Sequence, residues 1–246
     1  MPEYLLLCVI VCFAGAVQGL TGFGSLLVAV PLLSLFIAIK TVIPLGLLLA
    51  LVINTTLMLQ LRRHVDWRVV APLLLATAPG IPAGVWVLKT LPGWTLTAAL
   101  GLTCAGFGLY SLLRAPAPRK ESARGWAWLA GFLAGCMGGS LGTNGPPIII
   151  FAAAQPWEPR RAKACMSAYF FVSTVAIVGM HVATGVVTDE VLRLFATALP
   201  DLVVGIGAGM LAFSRLGERG YRRFVLLLVL ALGLMLLWRA WGASGV

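Results

Sequence analysis

The chain has 246 residues, of which 60% are hydrophobic and 11% charged, with a mean hydropathy of +0.99. Water-soluble domains carry charge at about a quarter of their positions, so this composition excludes one and points to an integral membrane protein. The net charge of +10 would suit nucleic acid, but the Lys and Arg residues lie in short loops and no soluble domain is present to use them, so the expected surroundings are lipid and no nucleic-acid partner is expected.

Hydropathy and Pro, Gly or charge punctuation give ten apolar segments: residues 4–21, 25–39, 41–60, 69–88, 94–113, 126–138, 146–155, 164–184, 191–213 and 222–241. None shows the polar alternation of a barrel strand, so the expected fold class is an all-α polytopic membrane protein. Segment one opens with MPEY, which lacks the basic start of a leader, so it is expected to be retained despite the small residues Ala14-Gly15-Ala16. Between segments one and two stands QGLTGFGS, residues 18–25, and segment three is interrupted by Asn54, Thr55 and Thr56. Segment four contains GIPAG, residues 80–84. Segment five leads into a basic, proline-containing connector, residues 115–125, without a linker domain.

Segments six and seven flank GGSLGTNGPPIII, residues 138–150. Segment eight carries Ser167, Ser173, Thr174 and, near its outer end, His181, which is expected at the interface together with the flanking tryptophans. Segment nine holds GIGAG, residues 205–209, and Asp201, an acid about ten residues into an apolar run. Such a residue is a candidate carrier of a coupling proton; the competing reading is that it satisfies amides freed at Pro200. The five cysteines all lie in apolar segments with no CxxC pair and no neighbouring histidine, so packing is their expected role, and no metal site, disulfide or cofactor is expected.

A repeat links the two halves. Gly15, Gly19 and Gly22 share the spacing of Gly135, Gly139 and Gly142, and GIPAG returns as GIGAG at the equivalent segment. Five segments per repeat is an odd number, so the second repeat, 126–246, must be inverted relative to the first, 1–114. The first two segments of each repeat are expected to be short or re-entrant, giving about eight spans at the level of hydropathy. Basic residues support the layout. Arg62, Arg63 and Arg68 follow segment three, Arg114, Arg119, Lys120 and Arg124 segment five, Arg160, Arg161 and Lys163 segment seven, and Arg215, Arg219, Arg222 and Arg223 segment nine, leaving Lys40, Lys89, Arg193 and Arg239 for the other side. The positive-inside rule then sets the richer side in the cytoplasm and both termini outside the cytoplasmic (inner) membrane.

Irregular backbone at membrane depth survives only where protein buries it or it lines a polar cavity. The two broken stretches each end one helix and start another, and a helix start offers free N–H groups and a positive dipole end to an anion. Pro146 and Pro147 suit the first turn of the following helix. Two tips entering from opposite sides would meet near the midplane. The expected binding residues for a small anion are therefore Thr21, Gly22, Gly24 and Ser25 in the first tip and Gly142, Thr143, Asn144, Gly145 and Pro146 in the second, with Asn54 lining the pathway. For the outer glycines, Gly15 with Gly19 and Gly135 with Gly139, the expected role is close helix packing of the small-xxx-small type.

At these residues the chain resembles the sulfite exporter TauE/SafE family. The matching features are GLTGFGSLLVAVPLL, the run NTTLMLQLRRHVDWRVVAPLL from Asn54 to Leu74, and GGSLGTNGPPIIIFAAAQPWEPRRAKACMSAYF in the second half. The resemblance implies a duplicated helical transporter in the cytoplasmic membrane, associated with sulfite, sulfonates and related organic anions. The expected function is secondary transport of such an anion, since no Walker motif provides for ATP. A passive anion channel is the alternative. An integral-membrane enzyme is disfavoured by scattered acids and two distant histidines. A homodimer stays open, as do the solute, the direction of transport and its coupling.

Overall fold

The computed structural model describes residues 2–21, 25–113, 124–213 and 218–243. Among these residues the structure is helical and contains no strand, as the hydropathy requires. The helices are α1 (Pro2–Thr21), α2 (Ser25–Leu33), α3 (Ile39–Leu61), α4 (Trp67–Thr90), α5 (Gly93–Leu113), α6 (Arg124–Leu141), α7 (Gly145–Ala154), α8 (Pro159–Ala183), α9 (Asp189–Phe213) and α10 (Glu218–Ala243), with a single 3-10 turn at Arg62–His64. Each corresponds to one of the expected segments. Six of them, α3, α4, α5, α8, α9 and α10, are long and apolar enough to cross a membrane among the described residues.

α1 and α6 run 20 and 18 residues and α2 and α7 only 9 and 10, and among the described residues none of these four is one of the helices long and apolar enough to cross. α2 stops at Leu33 rather than near residue 39. The Ser34 hydroxyl donates to Pro31 O at 2.8 Å, and Arg239 of α10 donates from Nη1 to Ser34 O at 2.8 Å, a cation placed on the negative end of α2.

The chain forms two compact units that interleave its sequence. Unit 1 comprises residues 1–49, 91–114 and 187–246; unit 2 comprises 50–90 and 115–186, so α3 contributes to both. In unit 1, α1 packs on α9, α5 packs on α10, and α2 lies against α1 and α10. In unit 2, α4 packs on α6 and α8, and α7 on α6 and α8. The core of unit 2 gathers Val70, Leu73, Ala134, Ile148, Phe151 and Tyr169, with Trp157 meeting Phe151 edge-on at a ring separation of 5.9 Å.

Glycine makes the closest crossings possible. In unit 1 a Cβ on Gly15 would stand 2.9 Å from Leu202 O, and one on Gly205 would overlap the Cys12 carbonyl. In unit 2 a Cβ on Gly135 would overlap the Thr77 carbonyl and lie 3.0 Å from Gly80 Cα, while one on Gly80 would overlap the Phe132 carbonyl. Between α5 and α10, a Cβ on Gly101 would be 2.9 Å from Gly233 O and one on Gly108 3.2 Å from Leu226 O. Backbones this close gain dispersion contacts that lipid cannot match, so Gly15 and Gly135 serve the packing role expected of them.

Candidate functional site

The break in unit 2 is built residue by residue. Gly142 ends α6 with φ of 68°, a left-handed conformation that suits glycine, and its N–H donates to Gly138 O at 3.1 Å. The Thr143 N–H turns back to Met137 O at 3.4 Å. Asn144 then precedes α7 with φ −88° and ψ −1° and makes no side-chain cap on that helix. Its Nδ2 instead donates to Ser173 Oγ of α8 at 2.8 Å, leaving a second amide hydrogen on the same nitrogen.

Thr143 and Asn144 are 1% and 4% exposed, and Thr143 Oγ1 has no hydrogen-bond partner. Pro146 and Pro147 carry no N–H, so of the first three residues of α7 only Gly145 keeps a backbone donor. The donors left at the positive end of α7 are thus few and neutral: the Thr143 hydroxyl, the Asn144 amide and the Gly145 N–H. Burial without a formal charge favours a small anion that accepts several hydrogen bonds.

The polar chain continues along α8. Next to Ser173, Thr174 Oγ1 accepts from Asn54 Nδ2 at 3.2 Å, and Asn54 is 8% exposed. Asn54 and Thr174 are 120 residues apart, the same offset that separates Gly15 from Gly135. One turn and two turns beyond Ser173, Ile177 and His181 face α6: a Cβ on Gly138 would crowd Ile177 Cδ1, and His181 Nε2 lies 3.0 Å from Gly139 O. His181 is fully buried within the protein. A lone histidine near the end of an apolar segment gives no sequence signal of such burial.

The first tip belongs to unit 1 and is described there by itself. Thr21 closes α1, Gly22 and Gly24 lie outside the described residues, and Ser25 opens α2 with its side chain buried. The Ser25 N–H donates to Oε1 of Gln18 at 3.0 Å, so a side chain from the preceding helix already satisfies one donor of this helix start. Gln18, buried at 6% exposure, was not among the expected site residues.

Asp201 also lies in unit 1. α9 runs unbroken through Pro200, so Asp201 does not cap a new helix; its carboxylate lies near the Cys8 thiol on α1. Asp201 is half-buried.

A family model described as "Sulfite exporter TauE/SafE" matches residues 7–236, nearly the whole chain. Comparison with curated proteins and with solved structures gives no match.

Proposed function

The chain belongs to the sulfite exporter TauE/SafE family, a family of membrane transporters, and from that membership we propose that it is a secondary transporter of a small sulfur oxyanion or sulfonate held at the α6–α7 tip of unit 2. The observation that carries the site is Thr143 Oγ1, a buried hydroxyl without a partner, beside an Asn144 amide that leaves the start of α7 uncapped. Buried polar side chains in folded proteins nearly always find a partner, and an anion at this helix start would supply one. The first tip, with Thr21, Gly22, Gly24 and Ser25, is proposed as the weaker contributor, because Gln18 already occupies the Ser25 N–H.

Inverted repeats are part of the same reading. The crossing of Gly15 with Leu202 and Gly205 is matched, residue for residue, by that of Gly135 with Thr77 and Gly80, and Gly205 on Cys12 is matched by Gly80 on Phe132. The α5–α10 contacts map onto themselves in the same way: Gly108 with Leu226 corresponds to Gly233 with Gly101. These matches support a duplicated chain of residues 1–114 and 126–246. The six long helices plus the two long-and-short pairs support the count of about eight spans. The basic loops support the cytoplasmic membrane as location, with both termini outside.

The test is the thermal stability of the purified protein against sulfite, thiosulfate, methanesulfonate, taurine, small carboxylates and neutral controls. A ligand bound only by the folded state raises the melting temperature saturably with concentration. At least one sulfur anion is expected to do so, with the effect lost in Asn144→Ala and reduced in Thr143→Val. Stabilisation by none of the sulfur anions, or stabilisation unchanged in both variants, overturns this site.

A further inference from the structure

The turn at Gly142 has an unused product. In a continued helix the Thr143 N–H would bond to Gly139 O, but it turns back to Met137 O, and His181 Nε2 occupies the Gly139 carbonyl at 3.0 Å. The imidazole therefore takes the carbonyl that the Thr143 N–H would use in a continued helix. A carbonyl only accepts, so Nε2 carries the hydrogen, and Nδ1 of a neutral ring is left as a lone pair. That Nδ1 has no partner. Among the described residues, Nδ1 of His181 and Oγ1 of Thr143 are the two buried side-chain polar atoms in this condition; Thr143 follows the C-terminus of α6, and the His181 ring of α8 bonds to the last turn of that helix through Gly139 O. As a helix cap alone, the ring would need only its Nε2 side. Burial of the other nitrogen without a partner is what a cap does not explain.

We propose that His181 Nδ1 binds a proton together with the anion held at Thr143 and Asn144. The proposal rests on the anion reading of that tip. An isolated imidazolium is costly in a buried site, and two groups offset the cost: the negative end of the α6 dipole, and the anion itself. Other ionisable groups on the packed elements are few. Lys89 of α4 donates from Nζ to Thr184 O, one turn past the ring, and Cys136 of α6 lies one turn before Gly139. α7 has no ionisable residue, and α8 has none between Tyr169 and His181. The 3-10 turn with Arg62, Arg63 and His64 packs on α8, whose first turns carry Arg160, Arg161 and Lys163 at the end opposite the ring. The anion is thus the partner able to decide the proton's residence. Each then strengthens binding of the other by the same factor.

The chain has two histidines, so imidazole nitrogen resonances of the full-length, histidine-labelled protein in lipid nanodiscs resolve the question, with His64 as internal reference. The probes are methanesulfonate and thiosulfate, whose charges are constant over roughly pH 5 to 8, the range where histidine titrates. Without anion, His181 is expected as the Nε2–H tautomer. With a saturating anion its protonation midpoint is expected to rise by about one pH unit or more, a tenfold coupling, while that of His64 stays put. Asn144→Ala is expected to abolish the rise and leave the tautomer unchanged. In His181→Gln, whose amide can still donate to Gly139 O, stabilisation by methanesulfonate is expected to lose its pH dependence. An Nδ1–H tautomer, or an anion that stabilises the protein without moving the His181 midpoint, overturns the proposal and leaves the anion site standing. Failure of both probes to stabilise the protein at any pH overturns the anion reading, and the linked proton falls with it.

Discussion

Asp66 opens α4 and ties it to α8. Its carboxylate accepts from the Arg68 N–H at 3.0 Å and from Arg161 Nη2, so it acts both as helix cap and as ion-pair partner. The Arg161 guanidinium holds the Asp66 carboxyl below the usual carboxylate range. A carboxyl lowered on folding binds fewer protons in the folded state. The pair therefore stabilises the protein above about pH 4, and the gain disappears as pH falls through the lower folded value. Both side chains are partly exposed, so water screens them and the pair contributes no more than about 1 kcal/mol. Melting curves of Asp66→Asn should lie slightly below wild type at neutral pH and converge with it in acid; a gap that widens in acid contradicts the assignment. At this scale the sequence was a partial guide. Asn144 and Thr143 stood out because a polar break inside an apolar run needs burial by protein or a polar cavity, but Ser173 is one hydroxyl among several on α8, and its contact with Asn144 distinguishes it.

Among the helices, the glycine crossings separate positions that look alike in sequence. A Cβ on Gly80 or Gly205 would run into a backbone carbonyl, whereas Gly106 and Gly179 have open space around theirs. Gly80→Val and Gly205→Val are expected to lose about 1–3 kcal/mol or more by overpacking, while Gly106→Ala and Gly179→Ala should be neutral or gain about 1 kcal/mol from better helix propensity. Unfolding in detergent measures the contrast, and equal losses at all four positions would show that these crossings do not govern stability. The Asn54–Thr174 hydrogen bond joins α3 to α8 and is open to a double-mutant cycle with Asn54→Ala and Thr174→Val. Buried polar pairs between membrane helices couple by about 0.6 kcal/mol, and a value near zero would make the contact incidental. Helix existence and bounds were legible because apolar runs and their Pro, Gly and basic punctuation act locally. α5 was expected at 94–113 and is found at Gly93–Leu113. The early stop of α2 was not; the Arg239 that donates to Ser34 O just past it lies 205 residues away in the sequence.

Across the whole molecule, the proposed orientation gives a direct test: single cysteines replacing Glu158 and Thr188 should react with an impermeant reagent from opposite sides, Thr188 from the outside. Labelling of both from one side would contradict the charge-based layout. Hydropathy could not reveal which helices pair, because every apolar helix looks equally ready for lipid or for a neighbour. The repeated sequence pattern sets segment one against six and four against nine as expected counterparts; the structure packs α1 on α9 and α4 on α6, so these helices pack across the halves of the sequence. That exchange bears on how the protein is made. Unit 2 ends at residue 186, so all its helices are synthesised before α9 begins. α1 is made before them and waits for its partner through some 170 further residues, on the order of 10 to 30 s at usual synthesis rates. During that interval its glycine-bearing face has no partner of its own, and the insertion machinery or lipid must keep it from pairing with the wrong helix.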